Sequence, residues 1–198
     1  MSAFFANKSL LREGKLGGRK MINKAILFAT NAHAGQTRKG TKIPFIVHPM
    51  EVGVIVSHIT TDEEIISAAI LHDTVEDCPN VTIEQIREEF GEKIAAWVSC
   101  ESEDKTKTWM ERKQHTIEHL KTQCREVQYI ALADKLANIR AIFRDYKQLG
   151  EEVWQRFRMK DPKKQGWYYR SLVESLKDLS SLDEYQEYKS LVEEVFGR

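Results

Sequence analysis

Apolar residues recur at three- and four-residue spacing over most of the chain, the signature of helices with one buried face. Ile22, Ala25, Ile26, Phe28 and Ala29 predict a helix over residues 21–32. A polar stretch follows, His33 to Lys42, with two glycines and three cations. His48-Pro49 then opens a second helix, proline being well tolerated in a first turn. Met50, Val52, Val54, Ile55 and Val56 predict that this helix is mostly buried. Thr61-Asp62-Glu63-Glu64 reads as a capping box with Thr61 as the cap. The helix it starts runs through Ile65, Ile66, Ala68, Ala69, Ile70 and Leu71 into His72-Asp73. Thr74 to Asn80 reads as a loop. Thr82-Ile83-Glu84-Gln85 is a second capping box, for a helix to about Phe90, and Gly91 separates it from a further helical stretch through Ile94, Ala95, Trp97 and Val98.

Beyond a charged connector from Glu101 to Lys107, the pattern predicts a polar helix over 109–121 and a strongly apolar one over 127–146. Trp154 and Phe157 suggest a short helix, which Asp161-Pro162 breaks. Two amphipathic helices, 167–179 and 183–196, complete the chain, the last opened by Ser181-Leu182-Asp183-Glu184 as a third capping box. No strand pattern of convincing length is present. The expected fold class is therefore all-α, a bundle of about eight to ten helices. Residues 1–20 carry scattered charges and Gly17-Gly18 and read as an N-terminal extension, disordered or non-native. Residues 21–198 read as one domain.

Composition narrows the partners. The 198 residues are 41% hydrophobic, enough for a core, and 30 basic residues balance 30 acidic ones. Zero net charge argues against a binder of macromolecular nucleic acid. No apolar run reaches the roughly 18 residues of a membrane span, and the first twenty residues hold no apolar core of a secretory signal. Cys78, Cys100 and Cys124 lack paired spacing, which suits reduced thiols and a cytoplasmic location. A homo-oligomer is allowed but not indicated.

The candidate chemistry centres on Ile70-Leu71-His72-Asp73-Thr74-Val75-Glu76-Asp77. A His-Asp pair ending an apolar helix is costly to bury without compensation, and a metal ion compensates imidazole and carboxylate well. Asp134 stands in another apolar helix, among Ala131, Leu132, Ala133, Leu136 and Ala137, with Asn138 four residues on and so on the same face. Pairing with Lys135 is the simpler account of Asp134, and a polar cap that of His48. The conjunction of His48, His72, Asp73 and Asp134 favours a divalent site for Mn²⁺, Fe²⁺ or Zn²⁺. Glu76 and Asp77 lie close enough in sequence to handle the protons of an attacking water. His115 and His119 are four apart on a polar helix, but without a metalloprotease Glu after the first His; they read as a solvated face. His33 is expected to border the pocket and His58 to end a helix.

In this order His48…His72-Asp73…Asp134 resembles the HD phosphohydrolase superfamily. The strings His33-Ala-Gly-Gln-Thr-Arg-Lys-Gly40, His48-Pro49, Leu71-His-Asp-Thr-Val-Glu-Asp77, Ser102-Glu-Asp-Lys105 and Ala133-Asp-Lys-Leu-Ala-Asn138 resemble more narrowly the hydrolase domain of RelA/SpoT-type enzymes, and above all the stand-alone small alarmone hydrolases. The resemblance implies an HD-domain helical bundle that removes pyrophosphate from the 3′ position of guanosine tetra- or pentaphosphate with bound Mn²⁺. It implies His48, His72, Asp73 and Asp134 as metal ligands and Glu76 and Asp77 as the catalytic pair. Arg38, Lys39 and Asn138 would meet the nucleotide, with Lys105, Arg158 and Tyr168 as pocket walls. Three other readings stay open: an adenosine alarmone as substrate, the 2′-phosphate of NADPH as substrate, and a non-catalytic nucleotide sensor.

Overall fold

The computed structural model describes residues 19–100 and 106–197. Among these residues there are ten α-helices and two short 3₁₀ segments, together with one isolated antiparallel bridge between Thr37 and Pro44. The N-terminal half holds α1 (Arg19–Ala32), α2 (Val47–Ile59), α3 (Glu63–Leu71), α4 (Thr74–Asp77), α5 (Ile83–Phe90) and α6 (Glu92–Ser99). The C-terminal half holds α7 (Trp109–Leu120), α8 (Arg125–Leu149), α9 (Pro162–Ser175) and α10 (Asp183–Phe196), with 3₁₀ segments at Gly150–Arg156 and Lys177–Leu179. The all-α expectation holds. The proposed extension, 1–20, falls almost wholly outside the described residues, as does Lys105.

Several local expectations are corrected. Asp62, not Thr61, caps α3: its carboxylate accepts from the Glu64 amide at 2.8 Å. Both residues are good caps, and the helix simply starts one residue later. The expected box at Ser181–Glu184 does not form; Leu182 precedes α10 without a side-chain cap. Residues 74–77 form a one-turn helix rather than loop. Asp161-Pro162 opens α9 instead of ending a helix, with Asp161 as cap and proline at its first position. The Thr82–Gln85 box forms as expected, and a box not foreseen, Thr108 with Glu111, starts α7. Gly91 holds φ at 91°, a backbone conformation that side chains resist, and so separates α5 from α6.

α3 is the centre of the N-terminal half. Every residue from Ile65 to Leu71 is buried, and α1, α2, α6 and α8 pack around it. α2 comes unusually near: a Cβ added at Gly53 would sit 2.6 Å from Ile70 Cγ1. Glycine is therefore what allows these two helices their close crossing. α8, 25 residues long, packs on α2 and α3 with one flank and on α10 with another. The three elements α2, α3 and α8 thus meet inside the core, and each brings a polar residue to the meeting point.

Candidate metal centre

His48 lies in the first turn of α2, His72 closes α3, and Asp134 sits mid-way along α8; all three are buried. Asp73 stands where it should cap α4, yet its carboxylate makes no capping bond and turns to the imidazoles instead. His48 Nε2 is 3.0 Å from Asp134 Oδ1 and 3.5 Å from Asp73 Oδ2. His72 Nε2 is 3.2 Å from Asp73 Oδ2 and 3.7 Å from Asp134 Oδ1. One ligand atom from each of His48, His72 and Asp134 lies within 4.8 Å of the others. This is a His/His/Asp site that suits a divalent metal.

Hydrogen-bond accounting supports that fit. His72 Nδ1 lies 2.8 Å from the Ala69 carbonyl, which only accepts. Nδ1 therefore carries the proton, and in a neutral ring Nε2 presents a lone pair. That lone pair faces carboxylate oxygens, and the buried Nε2 has no aligned hydrogen-bond partner. Lone pairs gathered in this way need a positive charge between them, either a proton or a cation. Without a metal, protons fill the role. Burial lowers the His72 pKa, but Asp73 and Asp134 outweigh it and hold it well above its usual value. Burial raises the Asp134 pKa, yet the Lys135 ammonium and both imidazoles hold it well below the ordinary carboxylate range. Asp73 is likewise lowered, to about 2, with burial opposed chiefly by His72.

Asp134 is engaged on both oxygens. Lys135 Nζ meets Oδ2, and Asn138 Nδ2 donates to Oδ1 at 2.6 Å. The simpler expectation, pairing with Lys135, therefore coexists with convergence on the imidazoles. Arg38 reaches the same place from the loop after α1, donating to Asn138 Oδ1 at 3.1 Å. The loop itself is closed by bonds between Arg38 N and Ile43 O and between Phe45 N and Gln36 O. Gly40, at φ 70°, forms its tip; an added Cβ would lie 2.9 Å from the side chain of Arg156, which is paired to Asp145 of α8 at 2.6 Å. Arg156 was not singled out in the sequence.

A cavity of about 350 Å³ opens beside the cluster, lined at one end by His72, Asp73, Glu76 and Asp134. Of the expected catalytic pair, Glu76 lines it and Asp77 is more exposed, its carbonyl held by Gln36 Nε2 at 3.0 Å. Gln36 Oε1 also accepts from Nδ1 of buried His33 at 2.9 Å, so His33 supports the loop from beneath. Lys39 is exposed on the loop and Arg158 is exposed after the first 3₁₀ segment. Tyr168 is buried between Trp109 and Tyr169, not on the cavity lining. His58 ends α2 as expected. His115 and His119 are exposed, but they line the cavity's far side with other α7 residues. The only sequence signal for that wall was the four-residue spacing of the two histidines.

Comparison with known proteins agrees with this architecture. A family model described as HD domain matches residues 25–162. Guanosine-3′,5′-bis(diphosphate) 3′-pyrophosphohydrolase MESH1 from Xenopus tropicalis is 39% identical over 144 residues, covering 71% of this chain and 78% of the relative. A crystal structure from Listeria monocytogenes EGD-e superposes with a TM-score of 0.70 at 32% identity, over 76% of this chain and 99% of that one. The structure of a metazoan ortholog of SpoT, described as hydrolysing ppGpp, superposes with a TM-score of 0.71 over 92% of this chain and 97% of that one; at 24% identity it speaks for the fold. With the matched segment spanning the helices that carry His48, His72, Asp73 and Asp134, the chain belongs to the HD-domain family, in the branch that contains the guanosine-3′,5′-bis(diphosphate) 3′-pyrophosphohydrolases.

Proposed function

We propose that this chain is a metal-dependent hydrolase that removes pyrophosphate from the 3′ position of guanosine tetra- or pentaphosphate, leaving GDP or GTP. Relatives at 34–39% identity are named for that pyrophosphohydrolase activity. The observation that carries the reading is the approach of His48, His72 and Asp134 to within 4.8 Å, with a buried lone pair on His72 that calls for a cation. In this reading His48, His72, Asp73 and Asp134 hold one Mn²⁺. A divalent ion so held supplies Lewis-acid chemistry, lowering the pKa of water and offsetting charge on phosphoryl oxygens.

The remaining roles belong to the chain itself. Glu76, on the cavity wall, accepts the proton of the attacking water, and Asp77 beside it orients that water. Arg38 offers a planar guanidinium to the diphosphate, already held in place by Asn138. Lys39 adds a point charge from the same loop, and Asn138 contacts the nucleotide. Lys105 and Arg158 are carried over as outer contacts by resemblance, whereas Tyr168, buried off the cavity, packs beneath Lys113 instead. Water adds across the bond from the ribose 3′ oxygen to phosphorus, yielding a hydroxyl and pyrophosphate. The partner is a small nucleotide, and no helix among the described residues is long and apolar enough to cross a membrane. Three free cysteines suit a reducing compartment, and the proposed location is the cytoplasm.

The test is a turnover screen with Mn²⁺ against ppGpp, ppApp, NADPH and simple nucleotides, with EDTA as the control. Release of pyrophosphate from ppGpp that EDTA stops is the expected result. Preference for ppApp or NADPH would reassign the substrate, and no turnover of any of them would leave a nucleotide-binding module.

A further inference from the structure

The cavity lining falls into two unlike groups. Asp73, Glu76 and Asp134 stand with His72, from the elements of the metal cluster; Lys107, Arg112, Lys113, His115 and His119 form the other group. The second group comes from α7 and the residue pair just before it. Arg112, Thr116, His119 and Gln123 follow one another at three- and four-residue steps, so a single face of the helix and its C-terminal turn looks into the cavity. Lys113 is held there by an aromatic ring: its Nζ lies 4.8 Å from the centroid of buried Tyr168. The two histidine rings stack 5.3 Å apart, and Gln123 Nε2 lies 2.8 Å from His119 Nε2.

This wall is separate from the cations already assigned. Lys135, on Oδ2 of Asp134, lines the cavity, whereas Asn138, on Oδ1, and Arg38 beyond it do not. The metal cluster therefore lies between two cationic flanks. A substrate with only one phosphorylated position would use one of them. The nucleotide of the proposed function carries two polyphosphate chains, and its cleavage liberates one of them as pyrophosphate, which must be held and released.

We propose that the α7 wall, with Lys107, Arg112 and Lys113 as its charges and the rings of His115 and His119 as N–H donors, is a diphosphate-binding subsite of this cavity, distinct from the Arg38 loop. It rests on the hydrolase reading for its choice of ligand. The diphosphate has two sources of identical chemistry, the leaving group from the 3′ position and the diphosphate at the 5′ position. Guanidinium and ammonium groups suit either one.

The experiment uses the full chain and the variants Lys107→Gln, Arg112→Gln and the pair combined. Lys107 is exposed, so its replacement leaves the packing alone and keeps the test informative if Arg112→Gln folds poorly. Binding of inorganic pyrophosphate and of GDP is measured calorimetrically in EDTA, which does not depend on turnover. The double variant is expected to bind pyrophosphate about tenfold more weakly, with Lys107→Gln shifted in the same direction. Turnover with Mn²⁺ is then compared for guanosine 3′-diphosphates with and without a 5′-diphosphate. Loss of the preference for the 5′-diphosphate assigns the wall to that end; an unchanged preference with weaker pyrophosphate inhibition assigns it to the leaving group. Variants that bind both ligands as the wild type does, or a wild type that binds neither, overturn the subsite. If the wild type hydrolyses neither nucleotide, the hydrolase reading fails, while the calorimetry still decides the subsite.

Discussion

Two regions of this molecule bury polar side chains, and, the partnerless Tyr168 hydroxyl of α9 aside, they treat them oppositely. In the C-terminal layer of α9 and α10, Tyr185 donates to the Val173 carbonyl and Tyr188 to the Tyr169 carbonyl, each at 3.0 Å. Trp154 donates to Glu151 at 3.0 Å in the same layer. In the layer of α2, α3 and α8, His72 Nε2 and His48 Nδ1 are buried without an aligned partner, and the Nε2 atoms of both rings face carboxylate oxygens. A buried polar group with its bond made stabilises a particular packing; one left unmade costs free energy that something else must offset. The first pattern marks structure and the second marks a place for a ligand.

The largest effect expected from disturbing this contrast is at Asp73. Asp73→Ala removes a proposed ligand of the cluster, and metal-dependent pyrophosphate release should fall to background in a colorimetric phosphate assay coupled to an inorganic pyrophosphatase. Glu76→Ala leaves the cluster intact; metal stoichiometry should be unchanged while the rate falls by about 10²- to 10⁴-fold. Equal rates in either variant and wild type would contradict the assignment. Next in size is the ion itself. At a hundred times its dissociation constant, Mn²⁺ should stabilise the fold by about 2.7 kcal/mol, seen as a rise in Tm that His48→Ala abolishes.

Smaller effects are expected on the structural side. Gly53→Ala forces a methyl against Ile70 where α2 and α3 cross, and should cost about 1–3 kcal/mol in urea unfolding. Because those helices carry His48 and His72, metal affinity should fall with it. Tyr188→Phe removes one satisfied bond in the C-terminal layer and should cost about 0.5–1.5 kcal/mol, with metal affinity unaltered. A change of metal affinity in Tyr188→Phe would blur the distinction between the two layers.

The helices were legible because their apolar spacing survives whatever they pack against. Their starts were less so: Thr61 and Asp62 are both competent caps, and only the turn geometry chooses between them. The order of His48, His72-Asp73 and Asp134 pointed to a common destination, but their meeting depends on how α2, α3 and α8 cross, and only in the structure does Gly53 show how closely α2 approaches α3. The α7 wall has the sequence of a solvated face, since a polar helix has the same pattern whether it borders bulk water or a cavity. Arg156 was invisible for a related reason. Its partners, Gly40 and Asp145, lie in different elements, and no spacing links them.

The contact of Gly40 with Arg156 has a mechanical consequence. Arg38 bonds Asn138, and Gly40 packs against Arg156, itself paired with Asp145, so the cationic loop sits against the helix that carries Asp134 at two places, one bonded and one packed. In the proposed reaction the guanidinium that would meet an incoming polyanion is thus already positioned beside the cluster, and the entropy of ordering its side chain is spent when the chain folds.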